Sequence, residues 1–137
     1  MNEKWAQYTR RYEGFSVLPY ECPTGHITIG YGHNLENGIS KEAAEFILRE
    51  DLQAAVKAVS KHFAWWQGLN EVRQFVLVDM AFNMGLAKLS AFKKMLAATQ
   101  RGDYNAAANE MLHSRWAVQV GRRAKELAEM MKKGVYL

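Results

Sequence analysis

The chain has one cysteine, Cys22, and therefore no internal disulfide. That excludes the small secreted modules held together by disulfide frameworks. Its only two prolines, Pro19 and Pro23, fall in one short stretch, and no Pro/Ser-rich linker, repeat or low-complexity tract interrupts the rest. No segment approaches the roughly 18 consecutive apolar residues of a membrane span. The opening, MNEKWAQYTRRYEG, is polar and lacks an apolar run of signal-peptide length. The expectation is a soluble protein made in the cytoplasm, which needs help to leave it if it acts outside.

With 137 residues, 49% of them hydrophobic and 23% charged, the chain is long enough for one domain with its own core and is not disordered in composition. The net charge is +4. Arg115, Arg122, Arg123, Lys125, Lys132 and Lys133 place much of the excess near the end. A basic surface suits a polyanion such as nucleic acid, an anionic membrane or a bacterial wall, and equally serves solubility. Charge alone does not choose the partner. No metal-ligand set or cofactor motif stands out, so neither is expected.

Trp5, Tyr8 and Tyr12 recur at helical spacing over residues 3–13, and Gly14 supplies a stop. Residues 16–38 carry Gly25, Gly30, Gly32 and Gly38, and Ile27, Ile29 and Tyr31 alternate with Thr28 and Gly30. This predicts a small antiparallel sheet. After Ser40 the pattern is helical. Ser40 can cap a long amphipathic helix of about residues 40–60 through Ala44, Ile47, Leu48, Leu52, Ala55, Val56 and Val59. Asn70 can cap a helix ending near Gly85, Ser90 and Asp103 are further cap candidates, and a last helix covers about 121–133 before Gly134. The expected fold is α+β. It has a helix at 3–13, a β lobe at 14–39, a connecting helix and a helical lobe over about 61–137, all within one domain.

Glu13 sits at a helix C-terminus, where partial negative charge disfavours a carboxylate and where Lys or Arg would be the stabilising choice. A carboxyl that keeps its proton is what a general acid needs. Eight residues separate Glu13 from Cys22, and five separate Cys22 from Thr28. The segment reads Glu13-Gly14-Phe15, then Tyr20-Glu21-Cys22-Pro23-Thr24-Gly25-His26-Ile27-Thr28-Ile29-Gly30-Tyr31-Gly32-His33. It resembles the glutamate, aspartate-or-cysteine, threonine triad of the tailed-phage lysozymes, glycoside hydrolase family 24. Phe82-Asn83-Met84-Gly85, Ser114-Arg115-Trp116 and Arg123-Ala124 extend the resemblance over most of the chain.

The resemblance implies a lysozyme-like fold and a muramidase. Such an enzyme hydrolyses the β-1,4 bond between N-acetylmuramic acid and N-acetylglucosamine of peptidoglycan and so lyses bacterial cells. Glu13 would be the acid, facing Cys22 and Thr28 from across a cleft. Cys22 can act as a thiolate base, as a nucleophile or as a polarisable group beside positive charge on the sugar, and those alternatives leave the stereochemistry open. Thr28 can hold the attacking water. His26 can lend a base or bind substrate. Asn83 can bind an acetamido group, and Arg123 is expected beside Glu13. His33 is expected to pair with Asp51, while Met84 and Trp116 read as core.

The connection Asn34–Ile39 is shorter than in typical relatives, which lowers one expected wall of the cleft. A monomer in the host cytoplasm is expected, released to the periplasmic wall by a holin. A domain of a virion protein or a secreted effector is an alternative setting. A non-catalytic peptidoglycan-binding module on the same fold competes with the enzyme. A nucleic-acid-binding domain has no motif in its favour.

Overall fold

A computed structural model describes every residue, Met1–Leu137. The architecture is α+β, with eight α-helices and one three-stranded antiparallel sheet. Two compact units divide the chain, Met1–Phe46 and Ile47–Leu137.

The first unit opens with α1 (Glu3–Glu13). Asn2 caps it by accepting from the Lys4 N–H, and Gly14 ends it at φ +70°, donating its N–H to the Arg10 carbonyl. The sheet follows as β1 (Ser16–Glu21), β2 (Ile27–Gly30) and β3 (His33–Asn34), in the order β1-β2-β3. Its central strand carries Thr28, which stands opposite Tyr20 on one side and Asn34 on the other. That central place buries Thr28 to 4% exposure.

The short connection after β3 holds a 3₁₀ turn, Leu35–Asn37, which the sequence pattern did not announce. Asn34 caps that turn by accepting from the Glu36 N–H at 2.9 Å. His33 belongs to this corner. Its Nε2 lies 2.8 Å from the Gly38 carbonyl oxygen, a backbone partner five residues away within the same unit.

The chain passes from the first unit to the second within α2 (Lys41–His62), 22 residues long. Ser40 caps it as expected, its hydroxyl accepting from the Ala43 N–H at 3.1 Å. A 3₁₀ turn (Ala64–Gly68) leads to α3 (Glu71–Met84), α4 (Leu86–Ser90), α5 (Lys93–Gln100), α6 (Tyr104–Leu112), α7 (Arg115–Val120) and α8 (Arg122–Lys133). Asn70, Asp103 and Ser114 cap α3, α6 and α7 with side-chain oxygens. Ser90 does not start a helix. It sits at the end of α4, where its hydroxyl donates to the Leu86 carbonyl.

The core of this unit joins Val59 of α2, Val76, Leu77 and Met80 of α3, Leu89 of α4, Met95 of α5, Met111 of α6 and Met131 of α8, all essentially inaccessible. Four of these eight are methionines, whose unbranched side chains fill irregular gaps between short helices. Ala107, Ala108, Ala124 and Ala128 are buried where α6 meets α8, and their small side chains let the two helices approach closely. Trp116, at 6% exposure, is core as expected, and Met84 packs against the same cluster.

The end of α8 is tied back to the start of α3. Arg73 donates to the Met131 and Lys132 carbonyls and lies 3.5 Å from the centre of the Tyr104 ring. Asn70 accepts from the Arg73 N–H while its amide donates to the Gly134 carbonyl, each at 2.9 Å. One side chain thus satisfies orphan groups at two helix ends. Asn70→Ala is expected to cost about 2 kcal/mol in urea unfolding, the sum of a lost cap and a lost hydrogen bond. Asn70→Asp keeps the acceptor and should recover roughly half of that loss.

Candidate active site

Tyr12, Glu13, Tyr20, Cys22, Pro23, His26, Thr28, Gly32 and Asn34 line a depression of about 480 Å³ in the first unit. The three residues spaced along the sequence as Glu13, Cys22 and Thr28 therefore share one surface. Each comes from a different place: the last residue of α1, the loop after β1 and the central strand.

Glu13 is positioned by contact with the β2–β3 connection. Gly32 has φ +75°, and a Cβ there would stand 2.5 Å from Glu13 Oε2 and 2.6 Å from its carboxyl carbon. The carboxyl occupies the space a side chain would fill. Within this unit no hydrogen bond or ion pair engages it, so both oxygens stay available to a ligand.

Cys22 begins the β1–β2 loop. Its N–H donates to the His26 carbonyl at 2.8 Å, and its own carbonyl accepts from the Gly25 N–H at 2.8 Å. The thiol sulfur lies 3.1 Å from the Thr24 hydroxyl. That hydroxyl foremost, then the backbone N–H of His26, favour the thiolate, and burial opposes them. The net effect lowers the Cys22 pKa from 9.0 to about 7. A substantial fraction is then anionic at neutral pH, as an aspartate would be.

Thr28 donates its hydroxyl to the His26 carbonyl at 3.1 Å. The His26 carbonyl thereby ties Cys22 to Thr28. The His26 ring has a partner that sequence reasoning missed: Nδ1 is 2.8 Å from Glu36 Oε2. Each raises or lowers the other in the expected sense. Glu36 pushes His26 above its usual value, and His26 holds Glu36 below the usual carboxylate range. The only sequence signal for this pair was a carboxylate in a connection too short to stray far from the sheet.

Arg123 and Asn83 belong to the second unit. Arg123 takes Asp79 of α3 as its carboxylate, with Nε and Nη2 at 2.8 and 2.9 Å from the two oxygens. Within its own unit, a facing helix thus supplies Arg123 with a carboxylate partner in bidentate geometry. Asn83 Oδ1 accepts from Trp116 Nε1 at 2.8 Å. It lines a separate groove of about 1080 Å³ with Phe92, His113 and Trp116.

Two outcomes test this geometry. Gly30 and Gly32 both have positive φ, but a Cβ at Gly30 meets nothing within 4 Å. Alanine at either position should cost about 1 kcal/mol, and only Gly32→Ala should shift the ¹³C resonance of the Glu13 carboxyl. For Cys22, the rate of iodoacetamide alkylation should rise with a midpoint near pH 7. Thr24→Val removes the strongest stabiliser of the thiolate and should move that midpoint upward.

The chain resembles known phage proteins over most of its length. The chain is 28% identical to the pre-baseplate central spike protein Gp5 of Enterobacteria phage T4 over 97% of its own length, though it spans only 28% of that protein. It is 28% identical to the endolysin of Acyrthosiphon pisum secondary endosymbiont phage 1, covering 90% of this chain and 85% of the relative. Identity to the endolysin of Bacillus phage B103 is 34% over 75% of this chain and 41% of that one. The phage lysozyme family model matches residues 10–133, from the last turn of α1 to the end of α8. By that match, which takes in every residue of the depression, this chain belongs to the phage lysozyme family.

Proposed function

We propose that the protein is a lysozyme that hydrolyses the β-1,4 bond between N-acetylmuramic acid and N-acetylglucosamine in bacterial peptidoglycan, with Glu13 as general acid. The observation that carries this reading is the placement of the Glu13 carboxyl, held against Gly32 without a polar partner in its unit, in one depression with Cys22 and Thr28.

Glycoside hydrolysis needs a proton for the leaving oxygen and a group on the other side of the sugar. Glu13 supplies the proton. Cys22, a substantial fraction of it thiolate near neutrality, supplies negative charge to offset the positive charge that develops at the anomeric carbon. Thr28 is the hydroxyl that can engage the attacking water. His26 completes the wall of the depression.

Lysis of a bacterial host belongs to the same proposal and is supported by the phage relatives named endolysin. In that setting the enzyme reaches the periplasmic wall from the cytoplasm through a holin lesion and works as a monomer. The relation to part of a spike protein favours a second setting, in which the same enzyme is a segment of a virion component.

Clearing of chloroform-treated Gram-negative cells, followed by mass analysis of the released sugars, tests the reading. The parent should clear the suspension and leave reducing N-acetylmuramic acid ends. Glu13→Gln should be slower by about 100-fold or more, the share of a lost general acid. Equal clearing by both proteins would contradict the assignment. Anhydro-sugar ends would exclude water as the nucleophile.

A further inference from the structure

His26 lines the depression, and Glu36 of the following 3₁₀ turn meets its ring from outside the lining. Glu36 is fixed from three sides. One carboxylate oxygen meets His26 Nδ1 at 2.8 Å. The other accepts from the Ile27 N–H at 3.5 Å. Its own N–H is held by Asn34, which itself lines the depression. A carboxylate on Nδ1 selects the tautomer with the proton there and leaves the lone pair on Nε2. No protein hydrogen bond occupies that nitrogen.

The other candidate for a base is less free. Cys22 Sγ already takes the Thr24 hydroxyl and the His26 N–H, and the hydrogen bonds that stabilise a thiolate also weaken it as a proton acceptor. Thr28 has two protein acceptors for its hydroxyl proton, the His26 carbonyl at 3.1 Å and the Cys22 sulfur, so its lone pairs are what it offers a water. A water between Thr28 Oγ1 and His26 Nε2 would direct one hydrogen to each and keep a lone pair for the sugar.

We propose that His26, oriented by Glu36, is the base of the hydrolysis: its Nε2 removes the proton from the attacking water, and the product has the inverted anomeric configuration. The proposal rests on the lysozyme reading above. In the step, a water O–H bond breaks and its proton goes to His26 Nε2, while the water oxygen bonds to the anomeric carbon. The glycosidic C–O bond breaks, and its electron pair stays on the leaving oxygen, which Glu13 protonates. Solvent then returns a proton to Glu13 and removes one from His26. Cys22 stays non-covalent throughout as a fixed negative charge. Glu36 is a positioning residue.

The titratable groups sharing the depression with His26 are Glu13 and Tyr12 of α1, Tyr20 of β1 and Cys22 of the loop; Glu36 of the 3₁₀ turn meets its ring from outside the lining. Of these, Glu36 acts most strongly on His26, raising it, and the Cys22 charge adds in the same direction. A base works only when deprotonated, so activity should rise with pH through the His26 titration.

The experiment is kcat and KM from pH 5 to 9 on solubilised, uncrosslinked glycan strands, with Glu13→Gln, Cys22→Ser, His26→Gln and Glu36→Gln beside the parent. The anomer formed by the parent is read by ¹H NMR before mutarotation. His26→Gln should lower kcat by about 100-fold or more with KM little changed, and should abolish the ascending limb. Glu36→Gln keeps an acceptor for Nδ1–H but loses the charge, so the limb should persist at lower pH with reduced kcat. The parent should release the inverted anomer.

Parent-like kcat and limb in His26→Gln would overturn the proposal. So would a limb lost in Cys22→Ser but kept in His26→Gln, or a retained anomer. Should His26→Gln fail to fold by circular dichroism, Glu36→Gln and the anomer decide. Equal rates for Glu13→Gln and the parent, or an inactive parent, would instead defeat the lysozyme reading itself.

Discussion

The contact between the Glu13 carboxyl and the bare backbone of Gly32 is the constraint on which the site depends. It demands a residue without Cβ at a position that also requires positive φ, and it demands that α1 stop at Glu13. Gly14 meets the second demand by turning the chain at the end of the helix. The two glycines are 18 positions apart in the chain, yet both serve the placement of one carboxyl. Moving the helix end by a residue would rotate Glu13 by about 100° around the helix axis, away from the sheet.

The opposite wall is organised around a carbonyl. The His26 oxygen accepts from Cys22 N and from Thr28 Oγ1, so backbone geometry fixes two of the proposed reacting groups relative to each other. The ring of the same residue is anchored by Glu36 from the turn after β3. A two-strand hairpin alone would supply Cys22 and Thr28. The third strand and its turn are what add the carboxylate behind the histidine. The charge pattern follows: a thiolate-prone sulfur and an imidazole of raised basicity share one depression.

Local signals in the sequence read well because the physics behind them is local. Gly14, Gly85 and Gly134 end helices, Ser40, Asn70 and Asp103 begin them, and the alternation around Thr28 is a strand. The spacing from Glu13 to Thr28 was legible as a site through its family resemblance, and the structure gathers those residues in one depression. Pairings between distant residues were not legible. Arg123 bonds Asp79 across 44 positions, and His33 takes the Gly38 carbonyl. Charge complementarity offers many partners, and only the packing of helices or the path of a turn selects one. Glu36 escaped notice for the same reason. Its connection looked like missing wall, whereas the chain uses it to bring a carboxylate to His26.

The two units also differ in how far along the chain their defining contacts reach. Everything that lines the depression lies between Tyr12 and Asn34, with Glu36 two residues beyond. The helical core instead needs α3 to find α8, and the clamp at Asn70 and Arg73 joins residues 58 to 64 positions apart. Closing a short loop sacrifices less chain entropy than closing a long one, and contacts near in sequence assemble faster. The architecture of the site is therefore kinetically local, built from one short stretch of polypeptide, while the core waits on a search that spans most of the helical unit.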